Sequence, residues 1–147
     1  MTLGVKLSAV YLPSEGKLLF RNYRTVNTFL PLEDFYKEAS DQEIRDVLGH
    51  ERLATQDPDA VVNGANQWDR KRFAMLRDSD VLDQYSAGQI RERSTRYDVD
   101  IHVSEDKIIF PSEKPEAKKV LQFLNEEIFR GAITENLYET NSKRQAD

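Results

Sequence analysis

Apolar and polar residues alternate in two short runs at the start of the chain, Lys6–Leu12 and Lys17–Tyr23. Between them stands Pro13-Ser14-Glu15-Gly16, where Pro fixes φ and Gly admits φ > 0, so the pair predicts an antiparallel hairpin closed by a turn. The period then lengthens. Thr25–Leu30 reads as a short helical turn, and Pro31 interrupts it to open a better helix over Pro31–Ala39. Ser40-Asp41-Gln42-Glu43 has the spacing of a capping box, with Ile44, Val47 and Leu48 on one face behind it and Gly49 as the stop. Glu51–Gln56 reads as a short extended piece.

Asp57-Pro58-Asp59 predicts the next helical start. Val61, Ala65, Trp68, Met75 and Leu76 share a stripe, with Val62 and Phe73 at its flank and Asn63-Gly64 as a kink or a split. Ser79–Tyr85 fits a turn or short helix, and Ser86 caps a helix running to Arg96. Asp98–Val103 and Lys107–Phe110 alternate as strands around Ser104-Glu105-Asp106. The last long element is a helix from Pro115 to Arg130. Ala117, Val120, Leu121, Leu124 and Ile128 form its apolar stripe, with Phe123 at the edge. Lys118, Gln122, Asn125 and Glu126 lie opposite. Ser112 or Lys114 is placed to cap it, Pro115 suits its first turn, and Arg130-Gly131 reads as its end. Such a helix is ~24 Å long at 1.5 Å per residue. Beyond it, residues 132–147 form a polar, extended C-terminal arm that frays at Gln145–Asp147.

These elements predict one α+β domain over residues 1–147. Antiparallel hairpins stand near both ends of the chain and pack with several short helices and one longer C-terminal helix. The chain of 147 residues has the size of one ordinary domain, and it carries no cysteine, which excludes disulfides, thiolate metal sites and cysteine nucleophiles. No apolar run reaches the roughly 18–20 residues of a membrane helix, so direct membrane insertion is not expected. The start, MTLGVKLSAVYL, lacks a charged region ahead of its apolar run and reads as a strand, not a signal peptide.

The net charge is −5. An acidic chain is not a non-specific nucleic-acid coat, although a local basic face is still open to it. Candidate basic groups cluster on Gln67–Arg77, where Arg70, Lys71 and Arg77 accompany Trp68, and on the arm at Lys143 and Arg144. Arginine forks match phosphate oxygens, and a helix face bearing several can follow a nucleic-acid backbone. The plainer meaning of such a run is a solvated face around a core Trp68. Arg72 is different, because it falls inside the apolar stripe. It either snorkels out or pairs with a carboxylate, and Asp69 is the nearest partner in sequence. Arg91, Arg93 and Arg96 form a second cluster that fits a wet surface helix.

Catalytic patterns are thin. Asp59 with Glu105-Asp106-Lys107 superficially resembles the carboxylates and lysine of a metal-dependent nuclease, but Glu105 and Asp106 fall in a hairpin turn and not on a core strand. His50 and His102 are isolated, and there is no Gly-rich phosphate loop or serine elbow. The chain therefore reads as a non-enzyme without cofactor or metal.

One set of motifs goes further. Leu121-Gln122-Phe123-Leu124-Asn125-Glu126-Glu127, Ala132-Ile133-Thr134 and Tyr138-Glu139-Thr140-Asn141-Ser142-Lys143-Arg144 resemble the C-terminal end of a prokaryotic family. Leu19–Arg24, Phe35–Ala39 and Gln67–Arg72 are similar to segments further upstream in it. That family, long known as a domain of unknown function, includes the B subunit of the Kiwa anti-phage defence system. The resemblance covers most of this chain and the C-terminal half of a typical member. It implies a cytoplasmic anti-phage defence component that binds DNA, working with a membrane-protein partner subunit and open to homo-oligomerisation. Missing the N-terminal half, the chain is either a short stand-alone homologue or an excised domain. On this reading Arg70, Lys71, Arg77, Lys143 and Arg144 contact DNA phosphates without reading bases. The competing reading is a protein-interaction module without nucleic-acid binding, for which Phe129, pointing away from the apolar stripe of its helix, is the motive.

Overall fold

The computed structural model describes residues 9–14, 17–20, 26, 30 and 37–139. It is an α+β fold. The first two strands, β1 (Ala9–Leu12) and β2 (Lys17–Phe20), pair antiparallel with Leu12 opposite Lys17. This is the predicted hairpin as far as the described residues reach; Lys6–Ser8 and Arg21–Tyr23 lie outside them. The expected turn at Thr25–Leu30 is described only at Val26, which is helical, and at Leu30, whose amide bonds the Val26 carbonyl at 2.9 Å. The helix expected over Pro31–Ala39 lies outside the described residues except for its last three positions.

Helix α1 (Asp41–Leu48) opens with the capping box read from the sequence. The Ser40 hydroxyl accepts from the Glu43 amide at 3.3 Å, and the Ser40 amide donates back to Glu43 at 2.8 Å. Ile44, Val47 and Leu48 are buried, each stabilising the fold by about 1.5–3 kcal/mol. After β3 (Leu53–Ala54), Asp57 caps α2 (Pro58–Gly64). The chain breaks at Gly64 and restarts at Asn66, so the expected split is real, and α3 (Gln67–Asp78) is a separate helix with its own capping box between Asn66 and Asp69. Helix α4 (Val81–Gln84), the Ser86-capped α5 (Ala87–Ser94) and a 3₁₀ turn (Thr95–Tyr97) follow.

Strands β4 (Val103–Ser104) and β5 (Lys107–Ile109) pair antiparallel. Glu105 and Asp106 both have positive φ, at 51° and 58°, as a two-residue hairpin turn requires. β3 joins β5 in parallel, giving a three-stranded sheet of order β3-β5-β4. This sheet, the helices α1 to α5 and a last helix, α6 (Lys114–Leu124), enclose the main core, which contains Leu53, Phe73, Leu82, Ile90, Ile108, Phe110 and Leu121. Phe73 and Phe110 meet with ring centroids 5.7 Å apart.

The C-terminal part departs most from expectation. Helix α6 spans Lys114–Leu124 and stops there. Neither Ser112 nor Lys114 caps it: the cap position is Glu113, without a side-chain hydrogen bond, and Lys114 is already helical. Glu126 takes φ 56°, with its amide on the Phe123 carbonyl at 2.9 Å and the Glu127 amide on Gln122 at 2.8 Å. That is the Schellman arrangement, formed by a glutamate where glycine is usual. Gln122 and Asn125, expected on the polar side, are buried. Ile128–Arg130 is not the last helical turn but strand β6, which pairs antiparallel with β7 (Leu137–Glu139). The arm expected over 132–147 is therefore a hairpin loop and strand as far as Glu139.

Candidate functional site

The basic residues of α3 were expected on one surface, but α3 is a core helix. Asp69, Arg72, Phe73, Ala74, Met75 and Leu76 are all buried on it. Met75 faces the N-terminal hairpin with Val26, Ala9 and Leu18, while Phe73, Ala74 and Leu76 face the main core. Arg70 and Arg77 emerge on the side of α1 and are used there. The Arg70 guanidinium donates to the Ala39 carbonyl at 3.0 Å, to Asp41 at 2.7 Å and to the Ala65 carbonyl at 3.3 Å. The Ala39 amide returns a bond to the Arg70 carbonyl at 3.2 Å. Arg77 is forked onto Asp78, at 2.7 and 3.1 Å, and also pairs with Glu43. The bond to Asp78, then the charges of Asp78 and Glu43, raise the Arg77 pKa above its ordinary value. The Ser40 amide, then the Ser40 hydroxyl and the Arg77 charge, hold the Glu43 carboxyl below the usual range. These two arginines tie α1 to α3. Lys71 is half-buried and has no carboxylate partner among the described residues. Lys143 and Arg144 lie outside the described residues.

Arg72 is sealed. It is 2% exposed, and its Nε donates at 3.0 Å to Glu127, itself 3% exposed. The expected partner Asp69 instead closes the Asn66 capping box, with Lys114 at 4.0 Å. The Arg72 guanidinium lies 3.8 Å from the centroid of the Trp68 ring. Asn125 donates to the Arg72 carbonyl at 3.3 Å and to that of Leu121 at 2.9 Å. The turn after α6 thus delivers Glu127 and Asn125 together onto the middle of α3.

A different environment surrounds the second arginine cluster. Arg91, Arg93 and Arg96 are exposed on α5 and the 3₁₀ turn. None has a carboxylate partner among the described residues. Arg93 stacks on Tyr85, 4.3 Å from the ring centroid. Beside it opens a cleft of about 360 Å³ whose lining includes Tyr85, Arg93, Arg96, Tyr97, Phe123 and Glu126. Tyr97 and Phe123 form a tilted pair with centroids 5.8 Å apart. Arg130, at the neighbouring strand end, donates to the Arg96 and Glu135 carbonyls and lies 3.5 Å from Asp98. The sequence shows the three arginines, but not that Phe123, 27 or more positions away, returns to form a wall beside them.

Of the nuclease-like residues, Asp106 is bound by Arg52 and Asp59 by Arg45 at 2.8 Å. His50 lies 3.2 Å from Asp83. Among the described residues no group of three or more His, Asp or Glu side chains could hold a metal ion. Nor is any helix there long and apolar enough to cross a membrane. Comparison with known proteins gives no matching family model, no matching curated protein and no matching solved structure.

Proposed function

We propose that this chain is a non-catalytic, cytoplasmic component of prokaryotic anti-phage defence, of the kind of the Kiwa B subunit, that holds DNA by its phosphate backbone. The observation that carries the DNA reading is the group of exposed arginines Arg91, Arg93 and Arg96, none paired with a carboxylate among the described residues of a chain with net charge −5. A local excess of cations is what a polyanion feels at short range. The resemblance of the C-terminal motifs supplies the defence context, and with it a membrane-protein partner subunit and a second copy of the chain as partners.

In this reading Lys71, Lys143 and Arg144 contribute phosphate contacts in addition to those of the arginine cluster. Arg70 and Arg77 contribute only by exchanging a carboxylate for a phosphate. Binding is weak and indifferent to sequence, since no helix among the described residues offers a set of base-reading side chains. The test is a titration of a short duplex at several salt concentrations. Each phosphate contact adds about 0.9 to the slope of log affinity against log salt. Arg91→Ala with Arg96→Ala, and Lys143→Ala with Arg144→Ala, flatten that slope for all sequences alike. A folded protein that binds no duplex at low salt overturns the reading.

A second reading, a protein-interaction module, has its own observation. The β6–β7 hairpin exposes Phe129, Leu137 and Tyr138, with Ile133 at its loop 96% exposed. Phe129 stacks on Tyr138 across the strands at 5.3 Å, so the ring that motivated this reading already has a partner within the chain.

A further inference from the structure

We propose that the cleft between α5, the 3₁₀ turn and the end of α6 binds one nucleotide unit, with a planar base against Tyr97 and Phe123 and a phosphate against Arg93 and Arg96. This rests on the nucleic-acid reading above and gives it a ligand that a duplex does not present: an unpaired nucleotide.

Three features point to this chemistry. The first is size and lining. A cleft of about 360 Å³ lies in the range of small-molecule sites. Tyr97 and Phe123 are both half-buried, so part of each ring stays open to the cleft. Aromatic walls of this kind accept any base, because every base has a π-face.

The second is the state of the arginines. Arg70 and Arg77 have spent their donors on carboxylates and carbonyls. Arg93 is held instead by the face of Tyr85. Stacking orients a guanidinium without consuming its N–H groups, which leaves them available to an anion. Arg96 follows one helical turn later and lines the same cleft. Two such cations beside an aromatic wall match the two halves of a nucleotide: a phosphate and a flat ring.

The third is the single carboxylate on the lining among the described residues, Glu126. It repels a phosphate, which therefore goes to the Arg93–Arg96 side. The base is left to the Phe123 side. Sugars or apolar peptides would leave both arginines unused, and inorganic anions would leave the rings unused.

The experiment is a fluorescence titration of the full chain with four probes: adenosine, adenosine 5′-monophosphate, a single-stranded oligothymidylate and a duplex of the same length. The monophosphate and the single strand bind and compete with each other, and adenosine binds more weakly than its monophosphate. Binding of the strand alone assigns the cleft to a nucleic-acid strand; binding of the monophosphate alone assigns it to a free nucleotide. Arg93→Ala and Arg96→Ala each weaken the bound probe, and for the strand each lowers the salt slope by about 0.7. Phe123→Leu keeps an apolar side chain in the wall and removes the π-face, and it weakens the strand on the order of tenfold. The same Phe123→Leu change leaves duplex affinity as it was. If neither monophosphate nor single strand binds while the duplex does, the cleft is not a nucleotide site, and backbone binding stands without it. If the duplex fails and the strand binds through Phe123, the cleft stands and duplex binding falls.

Discussion

Two arginines in this molecule rest on aromatic rings, and they do opposite things. Arg72 lies 3.8 Å from the Trp68 centroid, and Arg93 lies 4.3 Å from that of Tyr85. The local contact is nearly the same. What separates them is the rest of the coordination. Arg72 is buried against the Glu127 carboxylate and fastens the end of α6 to α3. Arg93 is exposed beside an open cleft and is paired with no carboxylate among the described residues. An arginine on a ring is thus neither a binding residue nor a structural one by itself. Burial and the acid partner decide.

The sharpest way to break this comparison is to remove the two guanidiniums in turn. Arg72→Ala takes the guanidinium away from the buried Glu127 carboxylate, and the expected loss is about 3–5 kcal/mol in a denaturant melt. Replacing both partners, Arg72→Met with Glu127→Leu, recovers most of that loss, because the cost lies in the orphaned charge and not in the absent pair. A double variant as unstable as the single one would show that the pair itself specifies the packing.

The next effect is smaller and tests the same contact from its other side. Asn125→Ala removes the donor to the Arg72 and Leu121 carbonyls, and the expected cost is about 1–3 kcal/mol in the same melt.

A third arginine sits between the two extremes. Arg77 pairs with Glu43 at the surface, where solvent screens the interaction. Because the Glu43 pKa is lowered on folding, its contribution is present above the ordinary glutamate value of 4.5 and is lost as pH falls through its lower folded value. Glu43→Gln is therefore expected to lower stability slightly at neutral pH, where the contribution is present, and to flatten the profile between 4.5 and the lower folded value. An unchanged acid limb would remove Glu43 from the account.

Last, Arg93→Ala changes stability by no more than about 0.5 kcal/mol, as for an ordinary surface position. A loss comparable to that of Arg72→Ala would erase the contrast between the two sites.

Local chemistry was legible in the sequence, and long-range pairing was not. The Ser40–Glu43 box, the Asp57 cap, the break at Gly64 and the Glu105-Asp106 turn each depend on residues within a few positions, and each was readable. The end of α6 was not, because its left-handed residue is Glu126 and the obvious glycine, Gly131, lies five positions on. Extending the helix to Arg130 hid the strand β6 and, with it, β7, whose Glu139 accepts from the buried Gln122 at 2.9 Å. The same error concealed the partner of Arg72. With Glu127 on a helix, Asp69 was the natural choice, although the true carboxylate is 55 positions away. Lysine and arginine counts on α3 suggested a surface, yet its flanks are covered by two separate apolar clusters. The cleft was half visible: the arginines could be seen, and the returning Phe123 could not.

The span between Arg72 and Glu127 also bears on how the chain matures at the ribosome. Synthesis delivers α3 well before the turn after α6 exists. Until that turn emerges, α3 carries an arginine in the middle of its apolar surface without the Glu127 carboxylate, and closing the helix into a core would bury that charge short of a partner it has in the folded protein. Early collapse around α3 is disfavoured for that interval. The domain then closes as a unit when its last third arrives, as domains generally do during translation. A nascent chain stalled before Glu127 would stay open, exposed to proteases and chaperones, whatever its local helices had already formed.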